Sequence, residues 1–186
     1  MSSETAHFLV GAALALPAIR SRELTAILPA WTIPISAGLL ATTPDLDLVL
    51  RRIFGFPVDG VLGHRGLFHS PFFLVFASGV LAAMFAGRHS RKAFGMLWLV
   101  WGGCMLTHPF LDAFSTGGRG LMLLLPFTRA RVSFPWHVIQ TPSQQQSLFK
   151  RAWLLRPSEI PFFLAAAGIG IGALLARKRG MDASAS

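Results

Sequence analysis

Four apolar runs, Ala26 to Thr43, Pro71 to Gly87, Ala93 to Leu111 and Ile160 to Ala176, leave this chain little choice of environment. Each is ~17 to 20 residues long, enough for a helix to cross ~30 Å of hydrocarbon. A fifth run, Ala6 to Ile19, is shorter and is interrupted by Pro17. With 53% of its 186 residues hydrophobic and 13% charged, the chain lies far from a soluble composition. The fold class is therefore all-α: a multi-pass transmembrane bundle of about five helices. The whole of 1–186 reads as a single integral membrane domain.

The segment Met1 to Ala6 carries an acid and no basic residue, which argues against a cleaved signal peptide and retains His7. Cys104 is the only cysteine and lies inside an apolar run. Neither an intramolecular disulfide nor a thiolate metal cage can be built, so any metal must be held by imidazole and carboxylate. The net charge of +9 could suggest nucleic acid, but the basic residues are spread among the membrane flanks rather than along one soluble face, and no nucleic-acid partner is expected. Arg20 to Glu23, Arg88 to Lys92 and Arg177-Lys178-Arg179 concentrate basic charge in short segments, which the positive-inside rule makes cytoplasmic. The amino terminus is then outside, and 177–186 is a short basic cytoplasmic tail.

If five helices cross, the polar residues at their ends fall on one face. His7 opens the first helix, with Thr5 as its cap. Asp45 and Asp47 close the second after Pro44. His64 and His69 precede the third, which Ser70-Pro71 starts, and His108 and Asp112 close the fourth. Ionisable residues near membrane depth mark function. Pro29 and Pro34 are expected to bend the second helix, and Pro109 to disturb the fourth. The connection 113–158 is an outward-face loop too long to be a simple link. It begins with Thr116-Gly117-Gly118-Arg119-Gly120, whose backbone can turn toward an anion. Leu121 to Phe127 is an apolar run that tucks against the bundle, and Ser143 to Arg156 has the pattern of an interfacial helix.

His108 and Asp112, four apart, share a helical face. Asp45 and Asp47, two apart, can serve one centre or two adjacent ones. Acids at a helix C-terminus oppose the macrodipole, a penalty that a bound cation reverses. Arg65, between His64 and His69, offers a planar donor fork for phosphate or carboxylate, as does Arg119. Each of these groups has a bland alternative: a bonded membrane histidine, a solvated helix end or a headgroup-anchoring arginine. His89 lies on the opposite face and is solvated, while His137 is an optional further ligand. Taken together, His7, Asp45, Asp47, His64, His69, His108 and Asp112 exceed the needs of one tetrahedral ion. One or more divalent ions, zinc first, would then support hydrolysis, with Asp47 as general base and Arg65, Arg119, Gly117 and Gly118 on the substrate.

His7, Pro44-Asp45-Leu46-Asp47, His64-Arg65-Gly66 with His69-Ser70, and His108 to Asp112 followed by Thr116-Gly117 and Pro126 resemble the YdjM-like inner-membrane proteins. The likeness covers roughly residues 6 to 127. It implies a LexA-regulated, membrane-bound, metal-dependent hydrolase of the bacterial inner membrane. A fainter likeness, through His7, Asp45 or Asp47, and His108 with Asp112, is to zinc-dependent phospholipase C and single-strand nucleases. A lipid or lipid-linked phosphoester is the expected substrate, given a site at headgroup depth. The rival classes are a metal transporter or sensor, and a structural membrane protein in which metal staples helix ends together. Helix middles nearly free of polar residues argue against a transport path.

Overall fold

The chain is described by a computed structural model over residues 3–116, 120–141 and 155–183. Among these residues regular structure is helical, with two isolated β-bridges and no strand. The helices are α1 (Glu4–Leu14), α2 (Arg22–Thr25), α3 (Thr32–Thr42), α4 (Leu46–Phe54), α5 (Pro71–Ala86), α6 (Arg91–Ala113) and α7 (Ile160–Ala183). Three stretches, Thr32–Phe54, Arg91–Ala113 and Pro157–Ala176, are long and apolar enough to cross a membrane. α5 is a shorter apolar helix. This is a helical membrane protein.

Prolines set several boundaries. α1 stops at Leu14, and the chain continues through Pro17 as a 3-10 helix, Leu16–Arg20, so the first apolar run is not one continuous α-helix. The cap of α1 is Ser3, whose hydroxyl accepts from the Ala6 amide at 3.1 Å, two residues earlier than expected; His7 remains near the helix start. The second run begins its helix only at Thr32, beyond Pro29. After Thr42 the chain makes a 3-10 turn, Thr43–Asp45, and goes directly into α4.

α4 corrects the electrostatic argument made from the sequence. Asp45 stands at its N-cap position and Asp47 in its first turn, so these acids lie at a helix N-terminus, where the macrodipole favours them. Leu46, Val49 and Ile53 share one exposed face of α4, while Arg51 and Arg52 occupy its last turn and Gly55 ends it with φ 69°. That pattern makes α4 amphipathic. The interfacial helix expected over Ser143 to Arg156 falls almost wholly outside the described residues.

Helix packing relies on small residues, which let backbones approach where lipid offers little hydrophobic drive for association. A Cβ on Gly11 of α1 would lie 2.6 Å from the Ala41 Cβ of α3. A core of Ala18, Leu24, Ile33, Ala37, Ala82, Leu97 and Trp101 ties the 3-10 turn, α2, α3, α5 and α6 together. Ile35, Leu39, Phe76, Leu99, Leu164 and Ile169 face outward, as a hydrocarbon surround requires. α6 stays helical through Pro109, so the expected break does not occur. Beyond α6 the chain folds back on its own end. Ser115 bridges Ile139, Leu121 bridges Val132, and Leu121, Met122 and Leu125 are buried, while Leu124 and Phe127 of the same apolar run are exposed.

Candidate metal centre

The starts of α1, α4, α5 and α7 and the end of α6 lie at one end of the bundle, and the polar residues singled out from the sequence meet there. His7 comes from the first turns of α1. Asp45 and Asp47 come from the α3–α4 junction, His69 from the 3-10 turn Leu67–His69 before α5, and His108 and Asp112 from successive turns of α6. His7, Asp47, His69 and His108 are fully buried, and Asp45 and Asp112 nearly so; His64, at 17% exposure, is the member that reaches toward solvent.

Contacts of the His69 and His108 Nε2 atoms with Asp45 and Asp112 are long for hydrogen bonds and suited to ligands sharing an ion. His69 Nε2 lies 3.5 Å and His108 Nε2 3.6 Å from Asp45 Oδ1, and His69 Nε2 lies 3.8 Å from Asp112 Oδ2. Four ligands at the ~2.0–2.1 Å bond length of zinc stand about 3.3 Å apart along a tetrahedral edge. Donor atoms of Asp45, His69, His108 and Asp112 all fall within 4.8 Å of one another.

Hydrogen bonding fixes which nitrogen of His108 faces this point. Its Nδ1 is 2.8 Å from the Ala41 carbonyl, which can only accept, so Nδ1 carries the proton and Nε2 presents a lone pair to Asp45. Neither Asp45 oxygen has a hydrogen-bond partner, nor has His108 Nε2 or either ring nitrogen of His69. Unsatisfied buried polar atoms are costly, and so many converging on one place fit a cation-binding site. Formal charge agrees. Three buried carboxylates, Asp45, Asp47 and Asp112, face one buried guanidinium, Arg65, and once the imidazoles are neutral, as ligation requires, two negative charges remain, the complement of a divalent ion.

His69 lies between acids, with Asp45 toward Nε2 and Asp47 Oδ2 3.2 Å from Nδ1. Burial alone would push its pKa down, but the two carboxylates overcome that and raise it to about 9. His7 stacks on His108, ring centroids 3.6 Å apart, with its Nε2 3.7 Å from Asp112 Oδ1.

Arg65, read from the sequence as a donor fork for a phosphate or carboxylate, engages a carboxylate of the protein itself. Its backbone is left-handed, φ 63°, and its amide donates to Asp47 Oδ2 at 3.1 Å. The Nη2 group donates to Ser115 Oγ at 2.7 Å and lies 3.2 Å from Asp112 Oδ2, while the Arg65 carbonyl accepts from the Met122 amide. A buried carboxylate attracts the nearest cation inward, so Arg65 positions Asp112 and fastens the loop. Asp47, expected as a general base, is likewise fully buried and occupied on both oxygens, with His64 Nδ1 3.0 Å from Oδ1. Arg119, Gly117 and Gly118 lie outside the described residues. His137 is exposed and apart from the cluster, and His89 is exposed in the connection between α5 and α6.

Two participants escaped the sequence reading. Glu4, one turn before His7 and on the same helix face, lies against Asp45; its i, i+3 spacing to His7 was the available signal. Ser115, which bonds Arg65 and the Asp112 carbonyl, gave no signal beyond proximity to Asp112.

The family model described as YdjM inner membrane protein matches residues 1–180. The chain belongs to that family. Inner membrane protein YbcI of Escherichia coli (strain K12) is 42% identical over 105 residues, 55% of this chain and 58% of that relative, so the match spans little more than half of each. No solved structure matches the chain. Family and helices together make this an inner membrane protein with several candidate spans.

Proposed function

We propose that the chain is a membrane-bound, metal-dependent hydrolase that cleaves a phosphoester in a lipid or lipid-linked substrate. The observation that carries the reading is the pair of imidazole Nε2 atoms, His69 and His108, converging on Asp45 beside Asp112 with no hydrogen bonds to spend there. In this reading Asp45, His69, His108 and Asp112 hold one divalent ion, zinc first, and His7 stacks behind His108. Such an ion supplies Lewis acidity and activates water at neutral pH. The Ala41 carbonyl keeps His108 in the ligating tautomer, and Arg65 holds Asp112 in place. Substrate would approach from the His64 side, the more open rim of the cluster.

Exposed apolar residues of α4, with Arg51 and Arg52, support a site at headgroup depth and hence a lipid substrate. By the positive-inside rule the site faces outward and the carboxyl terminus is cytoplasmic. Thiol labelling of single cysteines placed at Arg88 and Trp136 tests this; labelling of both from the same side of the membrane would refute it.

The near-complete burial of the donors favours a second reading, because structural metal sites are closed whereas catalytic ones keep an open position. Purification in detergent with elemental analysis, followed by turnover assays on phosphomonoesters, phosphodiesters and phospholipids, separates the two. Metal and turnover, both lost in His108→Ala, are expected. Metal without turnover on any phosphoester would favour the staple, and absence of metal would remove both readings.

A further inference from the structure

The donors divide into two groups that share one ring. Besides Asp45, His69, His108 and Asp112, a second set, Asp47, His64 and His69, has its donor atoms within 4.8 Å of one another. His64 Nδ1 turns inward, 3.0 Å and 3.3 Å from the two Asp47 oxygens and 3.9 Å from Asp45 Oδ1. His69 Nδ1 is 3.2 Å from Asp47 Oδ2 but makes no hydrogen bond, although the residue is fully buried. Its ring stands edge-on to that of His64, centroids 5.4 Å apart at 88°, and edge-on to that of His108 at 75°. One imidazole therefore presents Nε2 to the first group and Nδ1 to the second.

We propose that the site takes two divalent ions, the second held by Asp47, His64 Nδ1 and His69 Nδ1, with the His69 ring shared between them. This rests on the metal-site reading above and deepens it. The His69 Nδ1 proton leaves to solvent as the second ion binds, so the ring becomes a bridging anion. That negative charge offsets one of the two that a second divalent ion adds. Arg65 contributes through its backbone amide, which holds Asp47 Oδ2 toward the second group.

The test is metal stoichiometry of the full chain in detergent after loading with Zn2+ and removal of excess. Two equivalents are expected in the wild type, and one in His64→Ala and in Asp47→Asn, with elution volume checking that each variant is folded. Because His64 is the most exposed member, its truncation disturbs packing least. One equivalent in the wild type, unchanged in His64→Ala, would overturn the second ion and leave Asp47 and His64 as orienting groups. Loss of all metal in His64→Ala would overturn the division into two groups, and no metal in the wild type would instead defeat the reading of the proposed function. Loading with Cu2+ reads the bridge directly: an exchange-coupled electron paramagnetic resonance spectrum is expected, and two uncoupled spins would overturn the sharing of His69.

Discussion

Replacing Arg65 by glycine separates two opposing contributions at one residue. The side chain is 4% exposed, and its Nη2 lies 3.2 Å from Asp112 Oδ2 and donates to Ser115 at 2.7 Å. Removing one partner of a buried ion pair costs about 3–5 kcal/mol, because the remaining charge is left uncompensated. The backbone works the other way. At φ 63° a residue with a Cβ bears about 1–2 kcal/mol of strain that glycine relieves. The net loss in Arg65→Gly is then about 1–4 kcal/mol, and Arg65→Ala, which keeps the strain, falls about 1 kcal/mol or more below it. For a chain of this length that is a drop of about 2–16 °C in Tm for the glycine variant. Tryptophan fluorescence during thermal unfolding in detergent, with chelator or with Zn2+, measures it. The deficit should shrink when Zn2+ replaces the missing cation beside Asp112. A glycine variant as stable as wild type in chelator, or alanine equal to glycine, would refute the argument.

Metal affinity should depend on pH through His69. Its value of about 9 lies above the ordinary 6.5, so the protonated ring stabilises the metal-free protein fully below about 6.5, and that contribution is lost as pH rises through about 9. Metal must displace the proton, so competition titrations should show affinity rising up to about tenfold per pH unit up to about 9; a flat profile would refute this. Gly11→Val should cost about 1–3 kcal/mol by forcing α1 from α3, lowering both Tm and metal content. Gly95→Ala, where a Cβ meets nothing within 4 Å, should be neutral or stabilising in the same melting assay. At the opposite end of the bundle, Lys92 holds the exposed Glu23 carboxyl well below its usual range, but water and salt screen the pair. Lys92→Ala should leave metal content and melting temperature unchanged, and a clear fall in either would show that this contact is more than a surface pair.

Apolar run length made the helical membrane class legible, since it is a property of consecutive residues and hydrocarbon thickness. Crossing parity brought His7, Asp45, Asp47, His64, His69, His108 and Asp112 to one end, because an alternating chain leaves few choices. Parity specifies a face, however, and not a direction. Whether Asp45 ends one helix or begins another depended on the 3-10 turn at Pro44, and α4 reversed its dipole environment. The inward turn of Arg65 was equally hidden. An arginine beside two histidines reads as a clamp in sequence, but a carboxylate forty-seven positions later decides which way it points. The composition and order of residues thus determined the solvent this chain folds in and which side chains could meet, as local periodicity and bilayer thickness require. Only the packed helices decided which nitrogen each imidazole presents and which carboxylate is engaged, because those depend on carbonyls and amides brought together from distant segments.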